Sequence, residues 1–521
     1  MRPRVVSGTR ARAVCSLDTF RLGIIGLSTL SLLLAVLSGC APTAPAGVTA
    51  GGQQDIASAR ATIEDGGIPD PDSITVEGFL SEHSIPIEEA ADAGLLYATA
   101  STGWHQAFDA FTPLATVQIG FGTTIDETTF ERDSLNLCLV IDKSGSMADV
   151  VDDRSGTSKL DAVKIAIDRL LAQLDEDDLV SVVAFDSSPE TILQAAAGND
   201  IAAIKFALDR ITADGGTDLE TGLRRGYRVA REHSDGTRSD RLLVFTDALL
   251  TSAHERETIN FIDAMEDYAD LGVGATIFGI GVNFGHEVTY EISQVRGGNY
   301  FFLSDYDRIV SIFDDEFDYL VTPVAYDVAF EVSVPYVFDV VDIYGIKVED
   351  PIPHAFELSV PTLFLSSRQG GGAIMVRLRA GAMVDFDDES TLADIALSYT
   401  SPSGETEAHP MITVALPAGL DPDAEEVYFE SDSTKRGALL LDTALVLRST
   451  CEDAYYPYSY WYYPPSAPRR AIDRLTDFLP YFDAMSEGLE DQVSATSRTL
   501  SQERALLATL LENIQSWYET E

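Results

Sequence analysis

Apolar and polar positions follow a different pattern in each of three successive stretches of the chain. Between about residues 135 and 320, short apolar runs typical of buried strands alternate with segments whose apolar residues recur at helical spacing. Residues 137–141 form an unbroken apolar run, and the helix predicted over 160–174 carries its leucine, valine and isoleucine residues on one side. This alternation predicts an α/β domain with a central, mostly parallel sheet flanked by helices.

The next stretch alternates at strand spacing instead. Apolar and polar residues alternate over 328–334 and again over 373–378 and 395–399, and glycine-rich or serine-rich turns separate these segments. Within residues 321–430 we therefore expect an antiparallel β-sandwich.

From residue 431 the spacing is helical again and predicts three helices, at 437–449, 472–486 and 492–518. Pro480 predicts a break in the second of them, because proline lacks a backbone N–H. In the third, Leu500, Leu507 and Ile514 recur every seven residues. This repeat is typical of a helix packed on its own bundle, but it also fits a coiled-coil partner helix, and it covers too few heptads to decide.

The first forty residues have the pattern of a targeting segment. Five arginines precede an apolar run at 22–37, which is short for a membrane-spanning helix and is followed at once by Ser38-Gly39-Cys40. Leu37-Ser38-Gly39-Cys40 resembles a bacterial lipobox, which implies cleavage before Cys40 and lipidation of its thiol. An uncleaved anchor, or an ordinary signal peptide with a chance cysteine, is the alternative. Ala41 is not the aspartate that would imply retention in the inner membrane, so the resemblance implies the cell outer membrane, with the protein facing the periplasm or the cell surface.

Together these patterns divide the chain into six parts. In order they are a lipoprotein signal peptide (1–39), a flexible tether (40–72), a small N-terminal unit (73–134), the α/β domain (135–320), the β-sandwich (321–430) and a helical C-terminal region (431–521).

The charge of the chain excludes one large class of partners. Of its 521 residues, 84 are acidic and 35 are lysine or arginine, which gives a formal net charge of -49. A field of this sign repels phosphate, so we expect no binding of nucleic acid.

Three oxygen-bearing side chains follow the first strand of the α/β domain. In Asp142-Lys143-Ser144-Gly145-Ser146 they stand at alternate positions, and Gly145 permits a tight turn between them. Ligands bind beyond the carboxyl ends of the strands in sheets of this kind. Because carboxylate and hydroxyl oxygens suit hard cations, the segment predicts a site for Mg²⁺, with Mn²⁺ or Ca²⁺ as alternatives.

The same segment resembles the Asp-x-Ser-x-Ser signature of the von Willebrand factor type A (VWA) domain. The resemblance covers about residues 135–320 and implies a Rossmann-like fold with a metal-ion-dependent adhesion site. Two later segments carry it further: 214–218 supplies Thr217, and 242–247 supplies Asp247. The implied metal ligands are Asp142, Ser144, Ser146, Thr217 and Asp247. Ala248 departs from the family, which often has glycine there.

What the resemblance implies is binding and not catalysis. The family site keeps much of the metal's charge, so that a carboxylate of a protein partner can complete the coordination. The chain has no His-Glu-x-x-His pair, no Gly-x-Ser-x-Gly turn and no phosphate loop, and we expect no enzyme. Metal-dependent adhesion or assembly of an envelope complex is the expected function. A structural envelope protein stiffened by its metal, or a VWA subunit that works with an ATPase, is the alternative.

Two features stay open at the level of the sequence. Cys138 lies within an apolar strand and is most simply a small buried hydrophobe, although a disulfide with Cys451 fits an oxidising compartment. The segment 455–465 is rich in tyrosine and proline. It fits either a loop that packs over a domain junction or an exposed surface that binds a partner.

Overall fold

The computed structural model describes most of the chain after the targeting segment. The described ranges are 47–50, 56–87, 94–125, 130–151, 156–248, 255–281, 286–303, 306–315, 317–346, 353–366, 373–422, 427–455, 467–491 and 497–519. The lipobox at Cys40 and residues 456–465 of the tyrosine-rich segment lie outside them.

The strands belong to three sheets. They are β1 (Gly47–Ala50), β2 (Leu96–His105), β3 (Leu114–Thr123), β4 (Leu135–Asp142), β5 (Leu179–Phe185), β6 (Pro189–Ala197), β7 (Ser239–Thr246), β8 (Gly274–Ile280), β9 (Gly298–Leu303), β10 (Pro323–Ser333), β11 (Phe338–Tyr344), β12 (Ala355–Ser366), β13 (Ala373–Ala380), β14 (Ser390–Thr400), β15 (Thr406–Ala408), β16 (Ile412–Leu416) and β17 (Tyr428–Phe429).

The helices lie around these sheets. They are α1 (Ala57–Glu64), α2 (Val76–Ser81), α3 (Lys159–Leu170), α4 (Ile201–Asp209), α5 (Leu219–Glu232), α6 (Glu255–Ala269), α7 (His286–Gln294), α8 (Tyr306–Asp315), α9 (Phe317–Val321), α10 (Asp432–Ala454), α11 (Ala467–Ser486) and α12 (Leu500–Glu519).

The sheet of the α/β domain has the order β6-β5-β4-β7-β8-β9. Its strands pair in parallel except for the edge strand β6, which is antiparallel to β5. Alternate residues of β4 enter two cores: Leu137 and Leu139 pack on the side of α3 and α8, and Cys138 and Val140 on the side of α5 and α6. The predicted fold class, a mostly parallel sheet flanked by helices with a β-sandwich and C-terminal helices after it, is confirmed.

The sandwich draws on more of the chain than the sequence predicts. One of its sheets has the order β11-β13-β3-β2-β17, so strands from the predicted N-terminal unit at 73–134 lie in the same sheet as strands from 321–430. In that sheet Val117 faces Val376 and Ile119 faces Ile374 across β3 and β13, and all four side chains are buried. The pairing buries β3 completely, which a free-standing unit of its length could not do.

The other sheet of the sandwich also reaches into the N-terminal part of the chain. Its order is β1-β12-β10-β14-β15, with β16 on β14. Residues 47–50, which belong to the predicted flexible tether, form β1 and pair antiparallel with β12. Part of the expected tether is therefore an edge strand of the sandwich.

The C-terminal helices form a third core together with α1 and α2. Leu500, Leu507 and Ile514 are buried in it, as expected of a helix that packs on its own bundle. The predicted break at Pro480 is wrong, because α11 continues through that residue. Proline removes one backbone hydrogen bond, and the burial of Phe478 and its neighbours on the same helix outweighs that loss.

Two further observations concern the cysteines and the character of the helices. Cys138 and Cys451 are both buried and unpaired. In the part of the chain that the structure describes, no helix combines the length and apolar character needed to cross a membrane.

Candidate metal centre

The two aspartates of the predicted site lie at the same edge of the α/β sheet. Asp142 is the last residue of β4, and Asp247 directly follows β7. These strands are parallel neighbours in which Ile141 pairs with Phe245. Their carboxyl ends therefore meet, and two residues 105 positions apart in the sequence become neighbours.

Asp142 forms the floor of the site and is fully buried. Its Oδ1 accepts a hydrogen bond from the N–H of Ser144 at 2.8 Å, and its Oδ2 accepts one from the hydroxyl of Thr246 at 2.6 Å. Burial, and to a smaller extent the nearby Asp247 carboxylate, raise the pKa of Asp142 above its usual range, while these hydrogen bonds oppose the rise. A cation placed above Asp142 would favour its charged form.

The two serines connect this floor to Asp247. The hydroxyl oxygens of Ser144 and Ser146 are 3.2 Å apart, and Ser146 donates to Oδ1 of Asp247 at 2.9 Å. Ser144 and Asp247 are buried, whereas Ser146 is exposed. The structure therefore brings four of the five predicted side chains together in one hydrogen-bonded group that opens to solvent at Ser146.

The fifth predicted residue, Thr217, lies on a neighbouring loop. That loop contacts the loop of Ser144 and Ser146, here called the serine loop, through backbone hydrogen bonds. The N–H of Gly145 donates to the carbonyl of Gly215 at 3.1 Å, and the N–H of Asp214 donates to the carbonyl of Lys143 at 2.8 Å. Gly215 has φ +93°, a conformation that favours glycine. Thr217 itself is exposed, and the hydrogen-bonded group of the other four side chains does not include it.

Two residues that contact the site were not predicted from the sequence. Thr246 fixes Asp142, and the ammonium of Lys159 lies 2.7 Å from Oδ2 of Asp247. Lys159 is the first residue of α3, and its side chain is only 14% exposed. The available signal was the position of Lys159, directly before the helix predicted over 160–174 and close after the loop of Ser144 and Ser146. A second lysine, Lys143, pairs with Asp186 beside the site.

Ala248 itself has an ordinary backbone conformation. The described non-glycine residues with left-handed φ are Ala195 and Asp327, so the alanine in place of the family's glycine causes no such strain. Its N–H donates to the hydroxyl of Thr246 at 3.0 Å and helps to orient it.

The donor set fits a hard cation. Among the described residues no three His, Cys, Asp or Glu side chains are grouped to hold a metal ion. A cation at this edge would therefore depend on the hydroxyls of Ser144, Ser146 and Thr217 as well as on the two carboxylates. Such oxygen ligands suit Mg²⁺, Mn²⁺ or Ca²⁺ better than softer ions.

The fold and the site define a class: an α/β domain with an oxygen-lined loop cluster at the carboxyl edge of its sheet. Residues 137–249 match the family model of the von Willebrand factor type A domain, and the chain thus contains a VWA domain. The match includes all five predicted site positions.

Two curated relatives are similar over part of the chain. The uncharacterized protein YfbK of Escherichia coli is 24% identical over 288 residues, which cover 53% of this chain and 48% of that protein. The uncharacterized protein sll0103 of Synechocystis is 33% identical over 143 residues, 27% of this chain and 32% of that protein. The chain thus spans about half the length of the first and about a third of the second.

Among solved structures, a von Willebrand factor type A protein from Catenulispora acidiphila is similar over 81% of this chain and 98% of that one, with a TM-score of 0.47 and 14% identity. The ArnB paralog VWA2 from Sulfolobus acidocaldarius covers the same shares, with a TM-score of 0.40 and 11% identity.

Proposed function

We propose that this protein binds a protein partner through a divalent metal ion, with a carboxylate of the partner completing the coordination. The observation that carries the proposal is the convergence of Ser144, Ser146 and Asp247 above the buried Asp142. Mg²⁺ is the proposed ion, with Mn²⁺ or Ca²⁺ as substitutes.

The types of ligand support binding over catalysis. Ser144, Ser146 and Thr217 are neutral, and Asp247 already pairs with the ammonium of Lys159. A divalent ion held mainly by hydroxyls keeps much of its positive charge and attracts a further anionic ligand. The opening of the site at exposed Ser146 and Thr217 leaves room for that ligand to come from another molecule.

The proposed location rests on the sequence alone. A lipid on Cys40 would hold the protein at the cell outer membrane, where adhesion or assembly of an envelope complex is the function we infer. The net charge of -49 argues against nucleic acid as the partner.

Titration with Mn²⁺ tests the metal site. We expect the wild-type protein to bind one ion and Asp142→Ala to lose this binding, because the variant lacks the buried carboxylate beneath the ion. Asp168→Ala is the matched control, since it removes a surface carboxylate near the opposite end of α3. If Asp142→Ala binds Mn²⁺ as tightly as the wild type does, the metal assignment is wrong.

A second measurement separates partner binding from a purely structural metal. Chemical crosslinking of the protein on cells, with Mg²⁺ or with a chelator, shows whether a partner is held in a metal-dependent manner. We expect Ser144→Ala to lose the crosslinked partner while keeping the melting temperature of the wild type. A drop in melting temperature with the crosslink retained would favour the structural alternative.

A further inference from the structure

We propose that Lys159 is a built-in counter-cation of this site, which holds Asp247 when no metal is present and competes with the metal for it. This inference rests on the proposed metal-binding function and concerns the regulation of the same site. In this view the lysine sets how tightly the protein binds its ion.

The position of Lys159 is fixed by the backbone. Ser158 caps α3 by accepting a hydrogen bond from the N–H of Asp161, and the N–H of Lys159 donates to the carbonyl of Asp149 at 2.9 Å. The first turn of α3 is thereby held against the serine loop. From there the ammonium reaches Oδ2 of Asp247 at 2.7 Å.

This contact engages the second carboxylate oxygen of Asp247. Its Oδ1 accepts from Ser146, and its Oδ2 is taken by Lys159. The side chains of Lys159 and Asp247 are 14% and 2% exposed, so water screens the pair only in part. The ion pair therefore stabilises the site without a metal and opposes any direct bond between a metal and Oδ2.

The charges of the site also indicate that Lys159 competes with a metal ion. Asp142 and Asp247 supply two negative charges, and Lys159 returns one positive charge at hydrogen-bond distance from the site. A divalent ion that enters meets both this repulsion and a carboxylate that is already paired. Removal of the ammonium leaves Asp247 available and the site one unit more negative.

Titration of the full-length protein with Mn²⁺ alone, in wild type and Lys159→Met, tests the inference. We expect Lys159→Met to bind Mn²⁺ at least tenfold more tightly, because one positive charge and one competing bond are gone. Lys159→Arg keeps the charge and should bind like the wild type. Lys205→Met is the matched control, because it also removes a lysine from a Lys–Asp ion pair, here with Asp168 at 3.0 Å on the surface.

Melting temperature in the presence of chelator gives a second readout. Lys159→Met should melt several degrees below the wild type without metal, and Mn²⁺ should restore more stability to it than to the wild type. Lys205→Met should show neither effect.

The outcomes distinguish this inference from the proposed function. Equal Mn²⁺ affinity in wild type and Lys159→Met, with binding lost in Asp142→Ala, would overturn the role of Lys159 and leave the metal site intact. Absence of binding in both wild type and Lys159→Met would overturn the inference and the proposed function together.

Discussion

A buried cluster of charged side chains around Glu503 joins α12 to α1 and to the segment after α2. The variant Glu503→Gln tests how much this cluster contributes to stability. Glu503 lies on α12 and is fully buried. One carboxylate oxygen accepts from Arg60 of α1 at 2.7 Å, and the other lies 3.2 Å from the imidazole of His83 and accepts from Arg498 at 2.9 Å. Arg60 also pairs with Glu82, so the charges form a network across three segments.

The magnitude follows from the proton affinity of Glu503. Burial alone would raise its pKa, but the close approach of the His83 imidazole and the charge of Arg60 lower it from 4.5 to about 2. A depression of this size corresponds to about 3 kcal/mol of stability. Because the folded-state pKa is depressed, this stability is present above pH 4.5 and is lost as the pH falls towards 2. Glu503→Gln lacks this pH-dependent contribution.

Urea unfolding from pH 7 down to pH 3 measures the effect. We expect Glu503→Gln to be less stable than the wild type by about 3 kcal/mol at pH 7, and this difference should shrink as the pH falls below 4.5. Comparison at each pH cancels the protonation of the other carboxylates. Glu512→Gln changes an exposed glutamate of the same helix and should have little effect. A difference below about 0.5 kcal/mol for Glu503→Gln at pH 7 would refute the reasoning.

Two further predictions concern buried groups, in the VWA domain and in α10. Arg241 is 1% exposed, burial lowers its pKa to about 10, and its described partners are the hydroxyl of Thr276 and the ring of Phe364. Arg241→Met should therefore raise the free energy of unfolding by about 1 kcal/mol; a clear loss would show that the contact with Phe364 outweighs desolvation. Burial also raises the pKa values of Cys138 and Cys451 far above the usual range. Maleimide labelling followed by peptide mass spectrometry should modify both only after unfolding, and rapid labelling of the folded protein would contradict their burial.

The sequence predicts the VWA domain well because its elements are local and its motif residues directly follow strands. Apolar runs mark β4, β5 and β7, and their parallel pairing brings Asp142 and Asp247 together. The edge strand β6 was not predicted, since its side chains are half-exposed and it lacks a buried apolar run. Lys159 was also missed as a site residue, because its contact with Asp247 spans 88 positions and depends on how α3 packs.

The organisation outside that domain depends on pairings that no local pattern records. β3 pairs with β13, although more than 240 residues lie between them and the whole VWA domain is inserted in that interval. In the same way, α1 and α2 share a core with α12 at the other end of the chain. A pattern of alternating residues predicts a strand, but it cannot predict which strand pairs with it at such a separation.

The insertion of the VWA domain between strands of the sandwich determines which end of its parallel strands contacts the sandwich. Contacts with the sandwich lie at the amino end of the parallel strands, where Arg241 of β7 packs over Phe364 of β12 and the N–H of Gly297 donates to Thr362 at 2.7 Å. Asp247 lies six residues further along the chain, just past the end of β7, which at about 3.3 Å per residue places it about 20 Å away. The described contacts with the sandwich therefore lie at the opposite end of the parallel strands from the proposed metal ligands.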